Sequence, residues 1–190
     1  MRRIVFGLLA VVLLSACNQG APSQGSGSAT AAPNDADVTF TQNMIPHHQQ
    51  AIEMAKLVDA HTKRPQLRTL ADSIVVSQGQ EVALMQGWLK RWGKPATPEG
   101  MDHGAMHMPG MMSEADMRQL MIVKNRDFDL MFVDMMTAHH QGAVDMATTE
   151  LRDGSLPEVK QLAQQIMDAQ QGEIDQFKQW QTEWKPALIR

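Results

Sequence analysis

Cysteine is nearly missing from this 190-residue chain, since Cys17 is the only one. A lone cysteine excludes an internal disulfide and a thiolate metal cluster. Any metal site must therefore draw on His, Met, carboxylates or carbonyls. Tyrosine is absent altogether, and only five Phe stand against sixteen Met. Net charge is also small, −4, with Lys and Arg scattered along the chain. Without a basic patch, nucleic acid is excluded as a partner. No stretch alternates apolar and polar residues with the period of a strand. Long hydrophobic runs are missing too: the apolar stretch from Ile4 to Leu14 is too short to span a bilayer.

That short run has a meaning of its own. Arg2 and Arg3 precede it, and Leu14-Ser15-Ala16-Cys17 closes it. This is the layout of an export signal, and its ending in Cys resembles a bacterial lipoprotein signal. The resemblance implies cleavage before Cys17, lipidation of its sulfur and attachment to a membrane. The expected organisation is a signal peptide over 1–16, then a flexible tether over 17–36 rich in Gly, Ser, Ala, Pro and Gln. A first helical hairpin over 37–92, a Met/His-rich linker over 93–113, and a short helix with a second hairpin over 114–186 follow as one domain.

The hairpins are read from an internal repeat. A shift of 92 residues aligns Asp37, Phe40, Met44, His47, His48, Gln49, Ala51, Met54 and Ala55 with Asp129, Phe132, Met136, His139, His140, Gln141, Ala143, Met146 and Ala147. The register holds onward, bringing Pro65, Ile74, Gln78, Glu81, Trp88 and Trp92 onto Pro157, Ile166, Gln170, Glu173, Trp180 and Trp184. Self-similarity at a fixed offset marks one supersecondary unit used twice. Phe40, Met44, His47, Ala51, Met54 and Val58 recur in steps of four and three, as do Leu67, Leu70, Ile74, Ser77, Glu81, Leu84 and Trp88. Each set is the seam of an amphipathic helix, and Pro65 and Pro157 open the second helix of each unit. The predicted fold is all-α: a four-helix bundle made of two duplicated helical hairpins. Ser113 with Asp116 reads as a capping box for a short helix to about Val123, and Asn125 as a stop before the third long helix. Most of the four Trp are expected in the core.

Residues equidistant from a hairpin turn share a level, which pairs His47 with Glu81 and His139 with Glu173. His48 and His140 fall about 100° round the helix, on the shoulder of the seam. A buried carboxylate is costly unless it is paired or ligates a metal. The favoured reading is a metal site in the bundle, with Met44, His47, His48, Met136, His139, His140, Glu81 and Glu173 as candidate ligands. Met54 and Met146 lie about 10 Å further along the axis and read as core. The stretch from Met101 to Met112 adds Met101, His103, Met106, His107, Met108, Met111 and Met112 in an irregular segment, as a capture loop or as adaptable packing. Thioethers favour Cu(I), and imidazole also holds Cu(II).

Two other readings remain open. One is a ferritin-like di-iron oxidase, although positions 44 and 45, where such sites place a Glu before the histidines, hold Met and Ile. The other is a structural or interaction bundle whose histidines simply hydrogen-bond Glu81 and Glu173, without metal.

The pattern Phe-x-x-x-Met-x-x-His-His-x-x-Ala-x-x-Met-Ala, at 40–55 and again at 132–147, resembles the signature of the domain of unknown function family 305. The lead-in from Ser113 to Asn125, followed by Asp127-Phe128-Asp129, resembles it too, except that Asn125 stands where a Gly is expected. The resemblance implies a ferritin-like bundle, frequent export, and in some members copper binding and resistance. By position it also carries a functional role onto Asp37, Met44, His47, His48 and Met54, and onto Asp129, Met136, His139, His140 and Met146. The function expected is therefore copper buffering, delivery or resistance outside the cytoplasm rather than catalysis. The expected partners are a membrane reached through lipidated Cys17, metal ions and a copper-handling protein.

Overall fold

The computed structural model describes residues 31–96 and 108–185. The signal, most of the tether, Cys17, Met101, His103, Met106 and His107 lie outside the described residues. Helix α1 spans Asp35–His61, α2 Pro65–Trp92, α3 Glu114–Ile122, α4 Asn125–Asp153 and α5 Pro157–Trp184. The four long helices form two hairpins, α1–α2 and α4–α5, and the hairpins meet mainly along α1 and α4. The protein is an all-α helical bundle, with no strand among the described residues.

Local chemistry sets the boundaries. α1 begins two residues before the expected hairpin start at 37, because Asn34 and Asp37 form a reciprocal capping box. Pro65 and Pro157 occupy the first turns of α2 and α5, where a missing N–H costs nothing. Ser113 and Asp116 cap α3 as expected. Asn125 takes the left-handed backbone, φ 54°, at the joint between α3 and α4, so it meets the requirement a Gly would otherwise meet. His61 fastens that joint from α1: its Nδ1 lies 2.7 Å from the Val123 carbonyl, and its ring packs 4.8 Å from Phe128.

The seam of α2 differs from the expected one. Leu67, Ala71, Ile74, Gln78, Val82, Met85, Trp88 and Leu89 are buried, whereas Ser77 and Leu84 face solvent. A strict alternation of three and four averages 3.5 residues, while a straight helix turns every 3.6, so the true face drifts away from the counted one. Trp88, Trp180 and Trp184 are core residues and Trp92 is half-buried.

The core is divided in two. One apolar cluster joins Met54, Val58, Leu67, Ile74, Phe128, Phe132, Met136 and Phe177. The other joins Phe40, Met44, Ile45, Met85, Trp88, Leu156 and Ile166. Along α1 and α4 the histidine pairs fall between the two.

Each hairpin also grips the turn of the other. Asp37 accepts from Ser155 N, Ser155 Oγ and Leu156 N at 3.1, 2.6 and 3.0 Å, as well as from Asn34 N at 2.7 Å. Its repeat mate Asp129 accepts from Arg64 Nε at 2.7 Å, and that guanidinium lies 4.1 Å over the Trp184 ring.

Candidate metal centre

α1 is wedged between its own hairpin partner α2 and the first helix of the other hairpin, α4. Consecutive residues on a helix point about 100° apart, so adjacent side chains reach two different neighbours. His47 faces α4, where its ring meets that of His139 with centroids 3.8 Å apart. His48 faces α2, where its Nε2 lies 2.7 Å from Glu81 Oε2. α4 repeats the arrangement: His140 turns to α5, with Nε2 2.5 Å from Glu173 Oε2. Two expectations are corrected here. Glu81 and Glu173 pair with His48 and His140, not with His47 and His139. His48 and His140 are not on a shoulder either, since both are fully buried. A shared level fixes height along the axis but not direction around it.

The hydrogen bonds fix the tautomers. Ionised carboxylate oxygens only accept, so Nε2–H of His48 and His140 donates to Glu81 and Glu173, and in a neutral ring so held the lone pair falls on Nδ1. His47 has the same pattern through a different acceptor, because its Nε2 donates to the Pro109 carbonyl at 3.1 Å. Among the described residues, the Nδ1 atoms of His47, His48 and His140 are buried without a hydrogen-bond partner, and so are the ring nitrogens of His139 apart from the His47 backbone, which lies close enough to raise the His139 pKa. Burial pulls the His47 pKa down to about 3, with repulsion from His48 adding to the effect and the Pro109 carbonyl opposing it. Burial and then the neighbouring His47 hold His139 well below the ordinary histidine range. Both rings are therefore neutral at ordinary pH, the form in which imidazole binds a metal.

Met44 and Met136 are fully buried, one in each apolar cluster, so they flank the histidine layer from its two sides. Met54 is core, as expected. Met146, half-buried, packs against the second cluster and also lines a cavity of about 140 Å³ with Phe40, Asn43 and Glu150. Among the described residues, no three His, Cys, Asp or Glu side chains converge to hold one ion by themselves. The donors at the α1–α4 contact are thus two imidazoles with thioethers nearby, a set suited to a soft ion of low coordination. Of the loop residues described, Met112 packs against the first apolar cluster, and Met108 and Met111 are half-buried beside Pro109 and Gly110.

Several contributors escaped the sequence reading. Gly142, Pro109, Gly110 and Gln50 bring the linker onto the histidine layer. The available signal was a glycine inside a long helix, where the repeat mate is Gln50. Asp37 and Asp129, given a functional role by the family resemblance, hold turns. Glu150, buried against Asp37, has its pKa raised to about 8 by burial first and then by Asp37.

The model of the family described as "Domain of unknown function (DUF305)" matches residues 37–181. The chain belongs to the DUF305 family. Residues 1–18 match the prokaryotic membrane lipoprotein lipid attachment site, and this DUF305 protein is an exported, membrane-anchored lipoprotein. A putative secreted DUF305 protein from Streptomyces coelicolor is 32% identical, with a TM-score of 0.73 over 78% of this chain and 92% of that one. CopM in its Cu(I)-bound form is 32% identical, with a TM-score of 0.66 over 79% of this chain and 98% of that one. Its Cu(II)-bound form is 35% identical, with a TM-score of 0.68 over 78% and 97%. The uncharacterized protein L153 of Acanthamoeba polyphaga mimivirus is 40% identical over 53 residues, which are 28% of this chain and 35% of that protein. The chain thus spans about a third of the length of that curated relative.

Proposed function

We propose that this DUF305 lipoprotein binds copper outside the cytoplasm, as cargo to be buffered, delivered or kept from doing harm. The observation that carries this reading is the set of three imidazoles, His47, His48 and His140, whose Nε2 already faces an acceptor while Nδ1 is buried and, among the described residues, without a partner. A buried nitrogen without a partner costs about 1–3 kcal/mol, and an acceptor behind each ring is the arrangement that orients a metal-ligating histidine. CopM, solved with Cu(I), Cu(II) and silver, supports the choice of ion. Met44 and Met136 favour Cu(I), with Cu(II) a second state that imidazole accepts. Glu81 and Glu173 act on this reading as acceptors behind the ligands. Met101, His103, Met106, His107, Met108, Met111 and Met112 form a capture segment, and lipidated Cys17 holds the domain at a membrane where it exchanges the ion with a copper-handling protein.

Anaerobic titration of the full chain with Cu(I) against a competing chelator tests this. The expected result is saturable binding, with the tightest equivalent lost in the His47→Leu/His139→Leu variant, which keeps the core filled. Unchanged binding in that variant excludes the α1–α4 contact and leaves His48, His140 and the linker to hold the metal. A purely structural bundle has one observation in its favour, the His48–Glu81 and His140–Glu173 pairs, and predicts no retained copper at all.

A further inference from the structure

The linker segment from Met108 to Met112 lies against the histidine layer, and the two halves of the repeat hold it differently. On α4, Gly142 provides a notch: a Cβ there would fall 1.9 Å from the Pro109 carbonyl oxygen and 2.4 Å from its carbon. Gly110, with φ 78°, is seated as tightly, since its Cβ would fall 2.5 Å from the Ala138 carbonyl oxygen and 2.8 Å from that of His139. On α1, Gln50 provides a clamp: its Nε2 donates to the Met112 carbonyl at 2.9 Å, and its Oε1 accepts from Met112 N at 2.7 Å. Gln50 and Gly142 are the same position of the repeat, 92 residues apart. Between notch and clamp the Pro109 carbonyl reaches His47 Nε2.

We propose that Gly142 and Gln50 are positioning residues of the metal site, which seat the Pro109 carbonyl on His47 and thereby fix its tautomer. The functional meaning rests on the copper reading; the tautomer itself does not. The carbonyl does for His47 what Glu81 does for His48 and Glu173 for His140. It can only accept, so it keeps the proton on Nε2 and the lone pair on the buried Nδ1. Unseated, the ring is free to rotate and to carry its proton on either nitrogen, and the ligating form is diluted. His139, the repeat mate of His47, has no such strap and among the described residues its ring nitrogens meet only the His47 backbone, so the pair is unequal: one ring preset by the strap, the other not.

Long-range ¹H–¹⁵N correlation of the metal-free, histidine-labelled full chain reads the tautomer directly, and Cu(I) competition reads the consequence. Gly142→Ala favours the helix but overlaps Pro109, so the fold survives while the strap is displaced. Expected are a mixed His47 tautomer, unchanged His48 and His140 signals, and a Cu(I) affinity lower by about 10-fold or more, the usual effect of losing an outer partner. Gln50→Ala shifts both readouts the same way. Pro109→Ala, which keeps the carbonyl, leaves both unchanged. A His47 that remains wholly Nε2–H in Gly142→Ala and Gln50→Ala overturns the proposal, and so does an affinity loss without a tautomer change. A chain that binds no Cu(I) yet shows the tautomer change removes the copper reading and upholds the strap's hold on His47.

Discussion

At the scale of the residue, the doubled histidine serves a helix with two neighbours. One ring of each pair goes to the hairpin partner, where a glutamate receives it, and the other goes to the opposite hairpin. Glu81→Ala leaves the buried Nε2–H of His48 without an acceptor, and chemical denaturation is expected to show a loss of about 1–3 kcal/mol. Glu173→Ala is expected to cost a similar amount through His140; a neutral result at either position contradicts the assigned pairing. Glu150 gives a pH-dependent test. Its folded pKa of about 8 exceeds the ordinary 4.5, so between those values the folded state holds a proton that the unfolded state has released. The resulting stabilisation is complete below about pH 4.5 and is lost as pH rises through 8. Denaturation midpoints of Glu150→Gln are expected to fall less steeply across that window than those of the unmodified chain. The His-Glu level was legible in the sequence because hairpin geometry fixes height. Which histidine meets which glutamate was not, because that depends on where the third helix packs, and the repeat alone does not say that α1 lies against α4.

At the scale of the element, the two turns are held unequally. Asp37 accepts four hydrogen bonds, and although burial raises its pKa, the bonds from Ser155, Leu156 and Asn34 outweigh burial and keep the carboxyl below the ordinary range. Asp129 accepts one, from a partly exposed Arg64. Asp37→Ala is therefore expected to cost about 3 kcal/mol or more, and Asp129→Ala about 1 kcal/mol; equal losses in thermal denaturation contradict the clamp assigned to Asp37. The helices, the prolines opening α2 and α5, and the Ser113 cap were all readable from periodicity and local chemistry. The exposed Leu84 and the buried Gln78 were not, since a counted seam drifts from the real face over a helix as long as α2. The strap was also illegible. Pro109 and Gly110 announce a turn, but only the notch at Gly142 shows where that turn is seated.

At the scale of the whole molecule, a lipid-anchored bundle carries two apolar clusters, and the histidine pairs lie between them, shielded from water, with His47 and His139 neutral. On the proposed copper reading, such a layer suits an ion that asks little of hard oxygen ligands and tolerates few donors, which favours Cu(I). The central claim is that copper sits between α1 and α4 on imidazole nitrogen with thioether sulfur. It is tested most directly by copper K-edge X-ray absorption of the full chain loaded anaerobically with one equivalent of Cu(I). The expected result is a low-coordinate shell containing both nitrogen and sulfur, with the nitrogen contribution lost in His47→Leu/His139→Leu. A shell of sulfur alone, or one unaltered by those substitutions, contradicts it.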